Sequence, residues 1–295
     1  MEECWPNFFI VGAPKAGTTS LFAYLEQVPE IYMPRIKEPH YFSHIAIPEN
    51  SFLKPMRDKK KYLKLFSGVK DEIAVGEASP TYLRDPKAAK LIHEVSPDAK
   101  IIILLRDPVE RVYSAYFSQK RILDVNNSFH EIVLNYKQEN YPESVKGNPI
   151  IHTGFYSKQI KQYLDVFGPK QVKIIIFEEF IKDPKKIVRD VIEFLGIKNS
   201  LHEFQPEQFN VFGEPRGPIA RSLFKNTTIK RISKKVFSPS VRRVVTEKFL
   251  IKKTEKPKMD EEDRLLLQKL YKDDVNEVKH ILKRTLPWKN FQKEN

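Results

Sequence analysis

Cysteine is almost absent from this 295-residue sequence. Cys4 stands alone, so no disulfide can form within the chain, which fits a reducing compartment. Long hydrophobic runs are missing as well: nothing approaches the ~18 to 20 consecutive apolar residues that span a bilayer, which removes a membrane-spanning helix from consideration. The opening MEECWPNFFIVG carries two acids and no basic stretch ahead of its apolar run, so it lacks the pattern of a secretory signal and reads as a core strand. Cytoplasmic localisation is the expectation, with a missing or processed targeting segment as the competing possibility. No internal repeat and no low-complexity linker interrupts the chain, and one domain over residues 1–295 is the simplest organisation.

Acids are outnumbered by bases, 38 Asp and Glu against 51 Lys and Arg, for a net charge of +13. The imbalance is local. Arg216 to Lys258 holds fourteen Lys or Arg and two acids, Glu247 and Glu255, so this one segment carries +12. Either it is a solvated insertion, or it is a surface for an anionic partner such as an acceptor or a membrane. Nucleic acid is the less favoured partner, because only Phe224, Phe237 and Phe249 are interleaved with the charges and base stacking is poorly provided for. A hydrophobic share of 41% beside 30% charged residues is the balance of a folded globular chain.

Three short Ile/Val-rich runs bounded by turn signals read as buried strands: Phe8 to Val11, Ile101 to Leu105 and Val172 to Phe177. Shorter extended pieces lie around Ile31 to Met33 and Ile73 to Gly76. Helical patterns alternate with them, at Thr18 to Gln27, Pro86 to Val95, Pro108 to Arg121, Tyr156 to Phe167 and Pro184 to Leu195. Proline opens several of these helices, as suits a first helical position. The alternation predicts an α/β fold, a P-loop-type parallel sheet flanked by helices, with a basic late insertion at about 216–258. Met259 to Leu282 is amphipathic with an acidic first turn and predicts a closing C-terminal helix, at about 259–283.

The stretch FFIVGAPKAGTTSLFAYLEQ runs from strand through a glycine turn into helix, the layout of a phosphate cradle. An NTP-hydrolysing loop reads G-x-x-x-x-G-K-[ST]; here Gly12 and Gly17 keep the spacing, Thr18 takes the lysine position, and the lysine sits inside the loop as Lys15. The acid that would hold magnesium after a second strand is also missing, since KIIILL ends in Arg106. Asp107 follows, but before Pro108 an aspartate is the expected helix cap. Charge neutralisation therefore falls to Lys and Arg with no metal required, which favours transfer of a group less charged than a phosphoryl.

A second anion site is suggested by LLRDPVERVYSAYFSQKR, with Arg106 at the carboxyl end of a strand and Ser114 nearly two helical turns further on. Arg111 reads as an ordinary surface or ion-paired residue. Two anion sites suit a nucleotide phosphorylated at both ends of its ribose. The chain resembles the sulfotransferases that use 3′-phosphoadenosine 5′-phosphosulfate, in their bacterial and glycosaminoglycan-type branch, through APKAGTTSL, LLRDPVERVYSAY, KEPHYFS, GEASPTYL and GFYSKQIKQYLDVFGPKQVKIIIFEEFIKDP. The resemblance implies that Lys15, Ala16, Gly17, Thr18 and Thr19 bind the 5′ end of this donor, and Arg106 and Ser114 the 3′-phosphate. GEPRGPIAR is similar to a late Lys-Gly-Arg loop of the family, which adds Arg216 and Gly217 at the 3′-phosphate.

Removal of the acceptor proton needs a base, and RIKEPHYFSH offers Glu38 and His40. The residues alone also fit a surface Lys-Glu pair beside a core histidine. The resemblance makes Glu38 the catalytic base, with His40 in support and Lys15 stabilising charge on the leaving phosphate. One departure stands out: relatives carry a lysine in the GEASPTYL segment where this chain has Ala78, so Glu77 and Ser79 either take over some substrate placement or cap a turn. The implied reaction moves a sulfuryl group to a hydroxyl or amine of a carbohydrate, glycolipid or small metabolite. A P-loop kinase with an altered loop, and a basic nucleic-acid or membrane binder, are the alternatives.

Overall fold

The computed structural model describes residues 3–45, 55–122, 127–138, 149–198, 213–215, 217 and 251–292. Five strands form one all-parallel sheet: β1 (Phe8–Gly12), β2 (Ile31–Tyr32), β3 (Ala74–Ala78), β4 (Lys100–Leu105) and β5 (Val172–Ile176), in the order β2-β3-β1-β4-β5. β1 and β3 are buried along their whole length, and all of β4 beyond Lys100 is buried too. Such strands need helices to cover them, which is why their sequences read as continuous apolar runs.

The helices are α1 (Thr18–Leu25), α2 (Lys59–Leu63), α3 (Ala88–Val95), α4 (Pro108–Ile122), α5 (Phe129–Gln138), α6 (Pro149–His152), α7 (Ser157–Phe167), α8 (Phe177–Lys182), α9 (Pro184–Phe194) and α10 (Glu261–Leu282). Local chemistry starts several of them. Asp107 Oδ1 accepts from the Val109 N–H at 3.0 Å ahead of Pro108, and Asp183 does the same for Lys186 at 3.0 Å ahead of Pro184. Asp260 caps α10 in the same way, accepting from the Glu262 N–H at 3.0 Å. Each cap satisfies an orphan donor of the first turn.

α10 presents Leu267, Tyr271, Val275 and Val278 as a buried stripe at helical spacing and packs against α4, α5 and α7. Tyr271 donates to the Ile151 carbonyl at 2.7 Å, and Asp274 accepts from the Tyr156 and Ser157 N–H groups at 2.7 and 3.1 Å. α7 has no side-chain cap from its own Tyr156. Its cap therefore comes from a helix 117 residues away in sequence.

Most predicted elements appear within two or three residues of their predicted ends. Phe177 differs: predicted as the last residue of a strand, it opens α8. Arg111 is also corrected. It is buried at 1% exposure, and its guanidinium donates to the Ile150 carbonyl, so it is an internal tie between α4 and α6 rather than a surface residue. Of the basic segment, only 217 and 251–258 are among the described residues. There β6 (Gly213–Pro215) pairs antiparallel with β7 (Ile251–Lys253). No helix among the described residues is long and apolar enough to cross a membrane.

Beyond α10 the chain returns to the residues that follow β4 and β5. Trp288 is fully buried and its indole N–H donates to Glu178 Oε2 at 3.2 Å. Trp288→Ala should therefore remove about 3 to 5 kcal/mol of stability, the cost of deleting a large buried aromatic. Urea unfolding of the two proteins measures it, and a change within about 0.5 kcal/mol, the surface-substitution range, would mean the C-terminal segment is not part of the cooperative fold.

Candidate active site

In the order β2-β3-β1-β4-β5 the connection leaving β1 runs toward one edge of the sheet and the connection leaving β4 toward the other. The carboxyl ends of these two neighbours thus flank a crevice where the strand order reverses, the usual ligand position in an open parallel sheet. Three segments meet there: the turn after β1, the end of β4, and the loop that reaches β3.

The turn after β1 ends at Gly17, which caps α1 with φ +94° and has no side chain to bond the first N–H groups. No acid lies in the first turn of α1. Those donors and the positive end of the helix dipole are consequently available to an anion. Gly17 is also packed close: a Cβ there would lie 3.0 Å from the Phe177 ring. Lys15 has φ +68°, a left-handed conformation that non-glycine residues rarely adopt. Ala16 and Thr18 are buried, while Lys15 and Thr19 are partly open.

At the end of β4 the Arg106 guanidinium lies over the Phe177 ring, 4.6 Å from its centroid, and donates to the Lys15 carbonyl at 3.3 Å. Its own carbonyl accepts from Tyr156 Oη at 2.9 Å. Arg106 thus ties the second motif to the first. Its Nε is buried with no partner among the described residues, and burial lowers its pKa, opposed by Glu110 and Glu178. Ser114 lies on the second turn of α4, partly open. Asp107 does serve as the expected cap. Its other oxygen accepts from the backbone and side-chain N–H groups of Asn290 at 3.2 and 2.9 Å.

The loop through KEPH is fastened to β3. The Glu38 N–H donates to the Ala78 carbonyl at 3.1 Å, and the His40 N–H donates to Ser79 Oγ at 3.0 Å. Since β3 pairs with β1, with Ile10 opposite Ala78, this loop stands beside the β1 turn. Lys37 Nζ lies 2.5 Å from Glu38 Oε1, His40 Nε2 lies 3.5 Å from Glu38 Oε2, and His40 Nδ1 is 2.8 Å from Thr81 Oγ1. Burial would raise the Glu38 pKa, but the Lys37 ammonium and His40 outweigh it and hold the carboxyl well below the ordinary glutamate range. The Lys37 side chain is 9% exposed and that of Glu38 35%, so the pair is half-buried rather than on the open surface, and His40 is buried.

Glu77 and Ser79 are both tied into the fold. Glu77 is fully buried, with Oε2 accepting from Tyr62 and Tyr82 hydroxyls at 2.9 and 2.8 Å. Burial raises its pKa. Ser79 holds His40. Arg216 lies outside the described residues, and Gly217 is exposed with φ +82°.

Only four described non-glycine residues have left-handed φ: Lys15, Glu38 at +65°, His40 at +52° and Lys283 at +51°. Lys283 ends α10. The other three are the candidate catalytic residues, and strain of about 1 to 3 kcal/mol at each is characteristic of positions held for function.

A family model described as the sulfotransferase domain matches residues 6–280. The chain belongs to the sulfotransferase family. A solved sulfotransferase from Alicyclobacillus acidocaldarius is similar in fold and sequence, with a TM-score of 0.69 and 33% identity over 96% of this chain and 98% of that one. Human carbohydrate sulfotransferase 15 is 28% identical over 248 residues, 66% of this chain and 44% of that protein. The human bifunctional heparan sulfate N-deacetylase/N-sulfotransferase 3 is 25% identical over 289 residues, 96% of this chain and 31% of that protein. The chain thus spans less than half the length of these curated relatives.

In this member of the sulfotransferase family the local pattern did not reveal Phe177, whose ring lies against both Arg106 and Gly17, or Lys37, whose charge with His40 lowers the Glu38 pKa. The adjacency of Lys37 and Glu38 was visible, but the burial that strengthens their pair was not. Lys37→Met should raise the Glu38 titration toward the ordinary glutamate range. The sign follows from the depressed pKa: the pair adds stability above that range and loses it as pH falls through the depressed value. Carbon-detected NMR of labelled glutamate carboxyls reads the shift, and an unmoved Glu38 resonance would show that Lys37 does not control it.

Proposed function

We propose that this chain transfers a sulfuryl group from 3′-phosphoadenosine 5′-phosphosulfate to a hydroxyl or amine of a carbohydrate. The observation that carries this reading is the Arg106 guanidinium, stacked on Phe177, bonded to Lys15 O and left with a buried unpartnered Nε, next to the uncapped start of α1. Together these form two adjacent seats for anions, one made of backbone donors and one of guanidinium, as a donor phosphorylated at both ends of its ribose requires. The residues fit that donor.

In this reading Lys15, Ala16, Gly17, Thr18 and Thr19 hold the 5′ end, and Arg106 and Ser114 hold the 3′-phosphate. Arg216 and Gly217 would close over it. The acceptor oxygen or nitrogen bonds to sulfur as the bond from sulfur to the bridging oxygen breaks. The electron pair stays on that oxygen, giving adenosine 3′,5′-bisphosphate, and Lys15 stabilises the growing charge. The acceptor proton passes to Glu38, which His40 orients. The acceptor becomes strongly acidic only as its new bond forms, so a carboxylate of depressed pKa suffices. The carbohydrate acceptor rests on the names of the relatives and on the family.

Binding separates this reading from a kinase. Adenosine 3′,5′-bisphosphate should bind with EDTA present, and labelled donor should pass sulfate to at least one member of a panel of mono- and oligosaccharides. Metal-dependent binding of ATP in its place would refute the proposal. Arg106→Ala should weaken the bisphosphate by about 1.5 to 3 kcal/mol, the range for hydrogen bonds to charged groups. Lys15→Ala should instead lower turnover more than product affinity, because its charge is matched to the transition state. Glu38→Gln keeps the shape of the site and should cut turnover about 10²-fold or more with donor binding intact.

A further inference from the structure

The segment 38–45, which carries the proposed base, lies along the segment 78–85 that leaves β3. After the backbone bond from the Glu38 N–H to the Ala78 carbonyl, the acceptors along this seam are side chains. Ser79 Oγ takes the His40 N–H, and Thr81 Oγ1 meets His40 Nδ1. Further along, the Phe42 N–H donates to Tyr82 Oη at 3.2 Å. Asp85 Oδ2 then accepts from the Ser43 hydroxyl at 3.3 Å, from the Ile45 N–H at 3.0 Å and from the His44 N–H.

Tyr82 is oriented from behind. A phenol has one proton to give, and Glu77 takes it: Tyr82 Oη donates to the buried Glu77 Oε2 at 2.8 Å, which leaves a lone pair for Phe42. The Tyr82 ring is fully buried and meets the Phe42 ring edge to face with centroids 5.9 Å apart, while its carbonyl accepts from Tyr163 Oη at 2.9 Å. Both ends of the residue are therefore fixed. Phe42 is 4% exposed, so without Tyr82 Oη its N–H would be left unsatisfied away from water. Just upstream, Glu38 and His40 hold φ +65° and +52°, conformations that persist only where the surroundings enforce them.

We propose that Tyr82 is a positioning residue for the base, fixing through the Phe42 N–H the backbone that holds Glu38 and His40. The proposal rests on the role assigned to Glu38 above. The same carboxyl supplies a matched control. Tyr62 Oη donates to the same Glu77 oxygen at 2.9 Å and is as buried as Tyr82, but among the described residues it bonds no N–H of the 38–45 segment. Its ring stacks on Tyr41 and meets Phe42 edge-on, contacts that a phenylalanine keeps. The two tyrosines share a carboxyl and differ in the reach to Phe42.

Tyr82→Phe and Tyr62→Phe, made separately in the full chain, test it. Each removes one hydroxyl from Glu77, and the two should lower stability toward urea to a similar extent. Tyr82→Phe alone should reduce turnover about fivefold to tenfold, the equivalent of one hydrogen bond, with affinity for adenosine 3′,5′-bisphosphate unchanged. It should also move the Glu38 carboxyl titration toward the ordinary glutamate range, because Lys37 and His40, which depress it, no longer stand in fixed positions around it. Tyr62→Phe should leave turnover and titration at their wild-type values. Either readout responding no more to Tyr82→Phe than to Tyr62→Phe overturns the proposal. Carboxyl NMR reads the titration without turnover, so in a chain that transfers no sulfuryl group the reading above fails while the resonance still decides this one.

Discussion

The site depends on one guanidinium. Arg106 sits where β4 ends, and every group it meets comes from elsewhere in the chain: the Phe177 ring beneath it from the start of α8, the Lys15 carbonyl from the β1 turn, and the Tyr156 hydroxyl on its own carbonyl from the start of α7. A buried cation without a carboxylate in direct contact is costly to hold. The structure offsets that cost with the ring face, one guanidinium hydrogen bond to the Lys15 carbonyl and more distant acids, and leaves Nε without a partner among the described residues. Such a group is poised to gain more from an incoming anion than a solvated arginine would.

The C-terminal segment is the back wall of the same site. Asp107, directly after Arg106, caps α4 with one oxygen and holds Asn290 with the other, while the Glu178 carboxylate receives both the Asp107 N–H, at 3.0 Å, and the Trp288 indole. Arg264 extends the chain of contacts from Asn290 to Glu110. Residues separated by up to 183 positions thereby fix the direction in which β4 delivers its arginine. A helix that reads as a closing element is also part of what positions Arg106.

On the other side of the β1 turn, the Lys37-Glu38-His40 loop combines strain with tuned charge. Both Glu38 and His40 occupy left-handed backbone, and the bonds to Ala78 and Ser79 that hold them there belong to a fully buried strand end. Glu77, directed into the core among Tyr62 and Tyr82, anchors that strand end from below. Lys37 and His40 together hold the Glu38 carboxyl well below the ordinary glutamate range, against the effect of its burial. The loop therefore holds a carboxylate that is already charged, oriented and paired with a neighbour.

Local pattern determined much of this protein. The buried runs FFIVG, KIIILL and VKIII, the proline and aspartate at helix starts, and the glycine turn ahead of α1 specify their elements through backbone geometry and burial, which short segments encode by themselves. Lys15 and Arg106 stood out by their spacing after a glycine turn and at a strand end, whereas Glu38 and His40 were singled out through the family resemblance. Tertiary structure alone decided that Phe177 leaves its strand to lie under Arg106, that Asp274 caps α7 from α10, and that Arg111 turns inward. Each of these depends on which strands are neighbours in the sheet and where α10 docks, and such contacts are fixed by packing between segments far apart in the chain. No local periodicity or spacing records them.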